Sequence, residues 1–210
     1  VYQCPLSGFY LLFLGVARHL ARTPSAPSYL LGITIHRAYQ RAARAFARTR
    51  DREAARRAYL QGVADAWTHE FATFLLDTAR SPTQLYRLPV TMVDAIVERC
   101  AERWDGPALD HLLQERLFFS PTRGLSGKAD RLLGPPGTRL LYEVKAGASF
   151  FALDSHPLTG RRAPGGIQAL AYHETLRSVD GRPPTTAVEL VAPGQLEEVP
   201  LSDHPVVARA

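Results

Sequence analysis

Residues 124–145 predict a β-hairpin, and this stretch constrains the fold more than any other part of the sequence. Leu125 to Leu133 alternates loosely between apolar and polar residues, and the sequence GPPG at 134–137 follows as a turn cluster. Thr138 to Val144 is an apolar run typical of a second strand. We therefore expect the rest of the chain to be organised around a small sheet that contains this hairpin.

Charged residues sit at defined positions in the two strands. Asp130 falls in the first strand, and Glu143 and Lys145 are two apart in the second, so their side chains leave the same face. Val144 then points the other way, into the core. If the strands pair, Asp130 comes close to Glu143, and two adjacent carboxylates repel each other unless a cation lies between them. Oxygen ligands of this kind suit Mg²⁺ or Mn²⁺.

Lysine usage singles out Lys145. Of the 25 basic residues only Lys128 and Lys145 are lysines, so an arginine-biased sequence has kept a lysine two residues after a glutamate. A compact ammonium can fit beside a metal-bound water where a planar guanidinium cannot. The alternative interpretation is an ordinary surface Glu/Lys pair, because so short a pattern often arises by chance.

Helices are predicted before the hairpin and after it. Apolar residues at helical spacing predict a helix over 29–48, with His36 on its inward stripe, although a single histidine there is more often a core residue. Further helices are expected over 6–20, over 51–79, with Pro82 ending it, and over 89–104, the latter with Pro89 at its start. The remaining predicted elements are a strand at 112–120, a long loop at 146–166, a helix at 165–176 and strands at 186–191 and 196–201.

Charge is unevenly distributed. The net charge is +5, and residues 1–80 carry 11 arginines against 5 acidic residues. A basic lobe fits a phosphate-backbone partner, and an ordinary solvated helical surface is the alternative. The sequence has no run of about 18 apolar residues, so no membrane partner is expected. Two distant cysteines do not form a disulfide framework, which favours a reducing, cytoplasmic location.

Four short motifs follow one another in a recognisable order. They are GITIH at 32–36, GKAD at 127–130, EVK at 143–145 and QALAY at 168–172. Together they resemble the PD-(D/E)XK nuclease superfamily, and within it the RecB-like branch. The resemblance implies an α/β fold with a restriction-endonuclease-like core, in which helices flank a small central mixed sheet. An N-terminal helical lobe would occupy residues 1–110 and the nuclease core residues 111–210.

The resemblance also implies a role for each motif residue. His36, Asp130 and Glu143 would ligate Mg²⁺ or Mn²⁺ together with the backbone carbonyl of Val144, and Lys145 would position or activate the attacking water. Gln168 and Tyr172 would lie beside the site, where they contact DNA or orient Lys145. Glu115 and Arg131 flank the motifs and are expected to give support only.

The N-terminal sequence YQCP at 2–5, followed by aromatic residues, resembles the start of the iron–sulfur subgroup of this branch. In that subgroup the first cysteine, here Cys4, joins three later cysteines to hold a [4Fe–4S] cluster. No cysteine follows Tyr172, and one thiolate cannot hold the cluster. Either more cysteines lie beyond Ala210 or the cluster has been lost, and the unfinished helical pattern after His204 favours the first. Cys100 is interpreted as a buried apolar residue.

The expected function is a metal-dependent DNA nuclease, an exonuclease on single-stranded or end-bearing DNA in repair, recombination or CRISPR-type processing. A helicase or another nuclease-complex subunit is a candidate partner. An arginine row on one helix face could line a passage for DNA, or could be a solvated surface: Arg37, Arg41, Arg44 and Arg48. The alternative function is a catalytically silent nuclease fold that binds DNA within a larger helicase–nuclease assembly.

Overall fold

The computed structural model describes residues 27–74, 82–103, 106–122, 124–146, 166–192 and 194–203. Within these ranges the chain forms α-helices around one five-stranded mixed sheet, and a helical region precedes the sheet. The predicted fold class is confirmed. The helix expected near the N-terminus, most of the 146–166 loop and the segment after His204 lie outside the described residues. The division of the chain at residue 110 stays a prediction.

The first two helices pack against each other. Helix α1 spans Pro27–Thr49 and helix α2 spans Arg52–Phe74, so the first predicted helix is confirmed and the second is confirmed as far as Phe74. Asp51 starts α2, because its carboxylate accepts hydrogen bonds from the backbone N–H groups of Glu53 at 2.9 Å and Ala54 at 3.2 Å.

The predicted single helix over 89–104 is wrong. The structure has helix α3 at Pro82–Val90 and helix α4 at Val93–Arg103. Pro82, expected to end a helix, begins one, since its fixed φ suits a first helical turn. Pro89 lies in the last turn of α3, where it has no N–H to donate to the Leu85 carbonyl, and the helix ends at Val90. The Tyr59 hydroxyl donates to the Pro89 carbonyl at 2.9 Å and fixes this break.

The sheet has the strand order β1-β2-β3-β4-β5. The strands are β1 Leu113–Ser120, β2 Leu125–Leu133, β3 Leu140–Ala146, β4 Thr185–Ala192 and β5 Gln195–Pro200. Neighbouring strands are antiparallel except β3 and β4, which are parallel. A parallel pair needs a long crossover, and helix α5, Gly166–Asp180, lies in that connection. The predicted strands are therefore confirmed to within two residues at each end.

Strands β2 and β3 separate after three residue pairs. They pair at Leu133↔Leu140, Leu132↔Leu141 and Arg131↔Tyr142. Beyond this point β2 continues beside β1 as far as Leu125, and β3 continues beside β4 as far as Ala146. We call the open end between the two strands the fork. It has Asp130 on one side and Glu143 and Lys145 on the other.

The alternation of side chains in β2 changes at the fork. Ala129 and Leu132 pack in the same apolar cluster with Tyr172 of α5, although residues three apart in a regular strand face opposite ways. The pairing of β1 with β2 is continuous except at Glu115, whose φ is 56°. A non-glycine residue rarely adopts this left-handed conformation. The kink therefore falls at Glu115 and at Asp130, the residue that faces it in the register.

The other face of the sheet packs against the helices through one core. This core combines residues of α1, α2 and α4 with Leu133, Tyr142 and Val144, so Val144 points inward as predicted. Arg131, held as possible support for the site, is instead buried in this core. Its guanidinium lies 4.0 Å from the Tyr39 ring centroid and donates to Glu189 Oε2 at 2.7 Å. Arg131 thus joins α1 to the sheet rather than contributing to the fork.

Candidate active site

The fork collects polar side chains from five elements. Helix α1 supplies His36 and Gln40, strand β1 supplies Glu115, and strand β2 supplies Asp130. Strand β3 supplies Glu143 and Lys145, and helix α5 supplies Gln168 and Tyr172. The hairpin brings the two motif carboxylates together, and the parallel crossover places α5 over them.

Asp130 is fixed by both of its carboxylate oxygens. Oδ2 accepts a hydrogen bond from the Val144 backbone N–H at 2.8 Å, and Oδ1 lies 3.1 Å from His36 Nε2. Burial by itself raises the pKa of this carboxyl. The hydrogen bond from His36 and the Val144 N–H outweigh burial and hold the pKa below its usual value. Asp130 therefore stays ionised at neutral pH.

Glu143 is in a different electrostatic environment on the other side of the fork. Its side chain is fully buried, and burial together with the Asp130 carboxylate raises its pKa to about 8. Oε1 is paired with the Lys145 ammonium. Oε2 is buried and accepts no hydrogen bond from the described residues. A buried carboxylate oxygen without a donor is costly, and a bound cation would satisfy it.

Lys145 is held in place by a chain of hydrogen bonds. Its Nζ contacts Glu143 and donates to Gln168 Oε1 at 3.0 Å. Gln168 Nε2 in turn donates to the Tyr172 hydroxyl at 2.8 Å. Gln168 and Tyr172 are one helical turn apart on α5, so the helix presents both to the site, as the sequence predicted.

Gly127 allows Tyr172 to approach the sheet. A Cβ atom at this position would lie 2.5 Å from Tyr172 Cδ1 and 2.8 Å from Phe118 Cε2, which are distances that real side chains do not reach. The Tyr172 ring also packs edge-on against Phe118, with ring centroids 5.6 Å apart. The glycine therefore sets the position of the tyrosine, and through it that of Gln168.

A second set of possible ligands lies beside Asp130. Ligand atoms of His36, Glu115 and Asp130 are all within 4.8 Å of one another. Two carboxylates and one imidazole suit Mn²⁺ as ligands. Mg²⁺ would bind the carboxylate oxygens of the same set. The chemistry of this set fits a divalent metal. Glu143 does not belong to the set, although the Asp130 charge acts on it and its buried Oε2 has no hydrogen-bond partner among the described residues. The predicted Val144 carbonyl ligand stays a prediction, and the structure shows the N–H of that residue orienting Asp130.

Comparison with known families agrees with this geometry. A family model described as the PD-(D/E)XK nuclease superfamily matches residues 1–207. The chain belongs to the PD-(D/E)XK nuclease superfamily. No curated protein and no solved structure matches it in the corresponding searches. Superfamily membership makes a metal-dependent nuclease the general class, while the RecB-like branch and the iron–sulfur subgroup are finer assignments that this match leaves open.

The predicted arginine row of this superfamily member lies on the exposed side of α1. Arg37, Arg41 and Arg44 line a groove of about 350 Å³ between α1 and α2, together with Gln40, Gly62, Asp65 and Ala66. Arg41 is paired with Asp65 of α2. Arg48 is exposed one turn further along the helix and is not among the lining residues.

Of the two cysteines, Cys4 lies outside the described residues. Cys100, on α4, is a free thiol buried in the core, as expected for a small apolar residue. No helix in the described ranges is both long and apolar enough to cross a membrane.

Two residues at the site were missed or undervalued at the sequence level. Gln40 belongs to none of the four motifs, although it follows His36 by one helical turn, a spacing that places both on one face. Glu115 was expected to give support only. Its position beside His36 depends on a left-handed backbone conformation that nothing in the local sequence signals.

Proposed function

We propose that this chain is a divalent-metal-dependent deoxyribonuclease that acts as an exonuclease on single-stranded or end-bearing DNA. The observation that carries the proposal is the fork, where an ionised Asp130 faces a buried Glu143 whose Oε2 has no hydrogen-bond partner among the described residues. Beside this pair lies a lysine fixed from two directions.

The chain's own residues divide the work at this site. Asp130, Glu143 and His36, with the Val144 carbonyl, would hold the ion, and Mg²⁺ or Mn²⁺ would supply charge neutralisation at the scissile phosphate and a more acidic water. Lys145 would hold and orient that water, because its ammonium is a fixed positive charge within reach of the fork. Gln168 and Tyr172 would keep Lys145 aligned.

The proposed DNA path runs from the fork along the groove between α1 and α2. Gln40 lines the groove and also donates to Glu115 at the site, which supports this path. Arg37 and Arg44 are exposed there and form no ion pair with the described residues, so they are available to phosphates. Arg48 extends the row beyond the groove.

Placement in the RecB-like branch is supported by the order of the four motifs along the chain. It carries with it a role in DNA repair, recombination or CRISPR-type processing and a helicase as a candidate partner. A [4Fe–4S] cluster remains conditional on further cysteines beyond Ala210, with Cys4 as its first ligand.

The test is cleavage of end-labelled single-stranded DNA, duplex DNA and RNA with Mg²⁺, Mn²⁺ or EDTA. Wild type is compared with Glu143→Gln and Lys145→Met, and Glu197→Gln on exposed β5 is the matched control. We expect metal-dependent cutting of DNA that falls by roughly 10²–10³ in each site variant, the usual effect of removing one electrostatic group from an active site. The control should cut like wild type.

The product ladder distinguishes an exonuclease from an endonuclease and gives its polarity. Cutting that persists in EDTA, or that is unchanged in Glu143→Gln, would contradict the proposed site. DNA binding without cutting by the folded wild type would favour the catalytically silent alternative.

A further inference from the structure

The imidazole of His36 is contacted on both of its nitrogens. Nε2 lies 3.1 Å from Asp130 Oδ1, as expected of a ligand that faces the fork. Nδ1 lies 3.1 Å from Gln40 Nε2. The side chain is 22% exposed, so solvent reaches part of the ring.

Gln40 is oriented by Glu115. The Gln40 Nε2 atom donates to Glu115 Oε1 at 2.5 Å as well as contacting His36 Nδ1. An amide oxygen in that place would face the carboxylate, and the two acceptors would repel each other. The amide nitrogen is therefore the atom that faces His36, which makes Nδ1 an acceptor and leaves the ring proton on Nε2, where it donates to Asp130.

Glu115 is in turn held from its other side. Lys128 pairs with its Oε2, and the residue has a left-handed φ of 56° within a strand. This conformation costs of order 1–3 kcal/mol and persists only where surrounding contacts enforce it, a pattern that clusters at functional sites. The strain places the Glu115 carboxylate 3.7 Å from His36 Nδ1.

We propose that Gln40 and Glu115 are positioning residues that hold the His36 imidazole so that Nε2 faces Asp130. This inference rests on the proposed metal site. It adds the residues that contact the histidine ligand on the nitrogen away from Asp130. An ion bound at Nε2 requires the ring proton on Nδ1, where the Glu115 carboxylate, 3.7 Å away, can accept it. Gln40 therefore supports the metal-free tautomer, and Glu115 supports the ligating one. A carboxylate that accepts a hydrogen bond from the far nitrogen of a ligating histidine fixes its orientation and strengthens metal binding.

The experiment measures Mn²⁺ affinity in the absence of DNA for wild type, Gln40→Met, Glu115→Gln and Glu115→Leu. Gln195→Met, exposed on β5 at the opposite edge of the sheet from β1, is the matched control. Loss of an outer hydrogen bond to a ligand typically weakens metal binding by about 10–100-fold. We expect a loss of that size in Glu115→Leu and none in Gln40→Met, because the Gln40 donor favours the tautomer that the ion must displace. Glu115→Gln should recover most of the affinity, since its amide oxygen can still accept from Nδ1.

A second readout follows the ring itself. Long-range ¹H–¹⁵N spectra of the metal-free chain, with the His36 signals assigned by their loss in His36→Asn, report which nitrogen carries the proton. We expect a proton on Nε2 in wild type and a mixture of tautomers in Gln40→Met. A role in stability alone would leave this ratio unchanged, and thermal melting curves identify variants that fail to fold.

Three outcomes would overturn the proposal. The first is a folded Gln40→Met that keeps the wild-type tautomer, or a folded Glu115→Leu that keeps its Mn²⁺ affinity. The second is Glu115→Gln as damaging to Mn²⁺ affinity as Asp130→Asn, which would make Glu115 a ligand itself. The third is a wild type that binds no Mn²⁺. Normal metal binding without DNA cleavage would instead contradict the proposed nuclease function and leave this inference standing.

Discussion

The two carboxylates of the fork differ in proton affinity, and this difference is a property of single residues. The hydrogen bonds to Asp130 favour its charged form, whereas burial and the Asp130 charge favour the neutral form of Glu143. The environment thus gives one group with a lowered pKa, which is charged at neutral pH, and one with a pKa of about 8.

Metal binding should therefore depend on pH through Glu143. Its pKa is raised to about 8, so below that value the ion must displace a proton. We expect Mn²⁺ affinity to rise between pH 6 and pH 8 by up to about tenfold per unit and to level off above pH 9, because the carboxylate is then already free. Calorimetric titrations at several pH values would measure this. In Glu143→Gln the Mn²⁺ affinity should depend less on pH. The same pH dependence in the variant and in wild type would contradict the assignment of this proton to Glu143.

Gly127 gives a second prediction at this scale. Gly127→Ala forces the Tyr172 ring to move, so we expect a loss of stability of about 1–3 kcal/mol, as overpacking usually costs, and slower cleavage through the displaced Gln168. The same change in a Tyr172→Leu background should cost less, since the flat ring is gone. Urea unfolding of the double-mutant cycle measures the coupling. Equal costs in both backgrounds would show that Tyr172 does not limit the position.

Single residues also show what the sequence could and could not predict. The approach of Asp130 to Glu143 followed from the hairpin, and the inward direction of Val144 followed from strand alternation; the structure has both. The change of face between Ala129 and Leu132 could not be predicted, since period-two alternation assumes an unkinked strand. Because Glu115 rarely adopts a left-handed φ, its place at the site was not visible either.

At the scale of elements, the arginines that line the groove between α1 and α2 differ in whether they form an ion pair. Arg37 and Arg44 line it without an ion pair among the described residues, and Arg41 lines it but is already paired with Asp65. Arg48 is on the same helix, outside the lining set. These differences give unequal expected contributions to DNA binding.

Replacing both Arg37 and Arg44 with glutamine should weaken single-stranded DNA binding and reduce the slope of log K against log salt by roughly 1.4, about 0.7 for each lost phosphate contact. Arg182→Gln, which changes an exposed arginine just after helix α5, is the control and should change the slope by much less. Fluorescence anisotropy at several salt concentrations measures both. Equal effects of the double variant and the control would mean that the groove does not follow the DNA backbone.

Elements with strong periodicity were predicted well, and the elements near proline were not. The α1 helix and all five strands matched because apolar spacing and turn residues mark them. The break between α3 and α4 was not predicted. The sequence favoured Pro82 as a helix stop and Pro89 as a helix start, whereas Pro82 begins α3 and Pro89 lies in its last turn. Their positions depend on packing, including the hydrogen bond from Tyr59 to the Pro89 carbonyl.

At the scale of the whole molecule, one core links the helical region to the sheet. Side chains from α1, α2 and α4 pack with residues of β2, β3 and β4, and the buried Arg131–Glu189 pair lies within this contact. His36 is on α1 and Asp130 is on β2, so the alignment of these two residues depends on how this core packs. The sequence predicted both layers, but not that buried charges would join them.

The fork also has a mechanical consequence for the sheet. Strands β1 and β2 form one leaf, strands β3 to β5 form another, and three residue pairs are the hinge between them. An ion bound by Asp130 on one leaf and by Glu143 on the other would link the two leaves across the open end. By thermodynamic reciprocity, if metal binding disfavours separation of the leaves by a given free energy, separation of the leaves weakens metal binding by the same free energy. A DNA strand that wedges into the fork would therefore expel the metal, whereas one that draws the leaves together would tighten it.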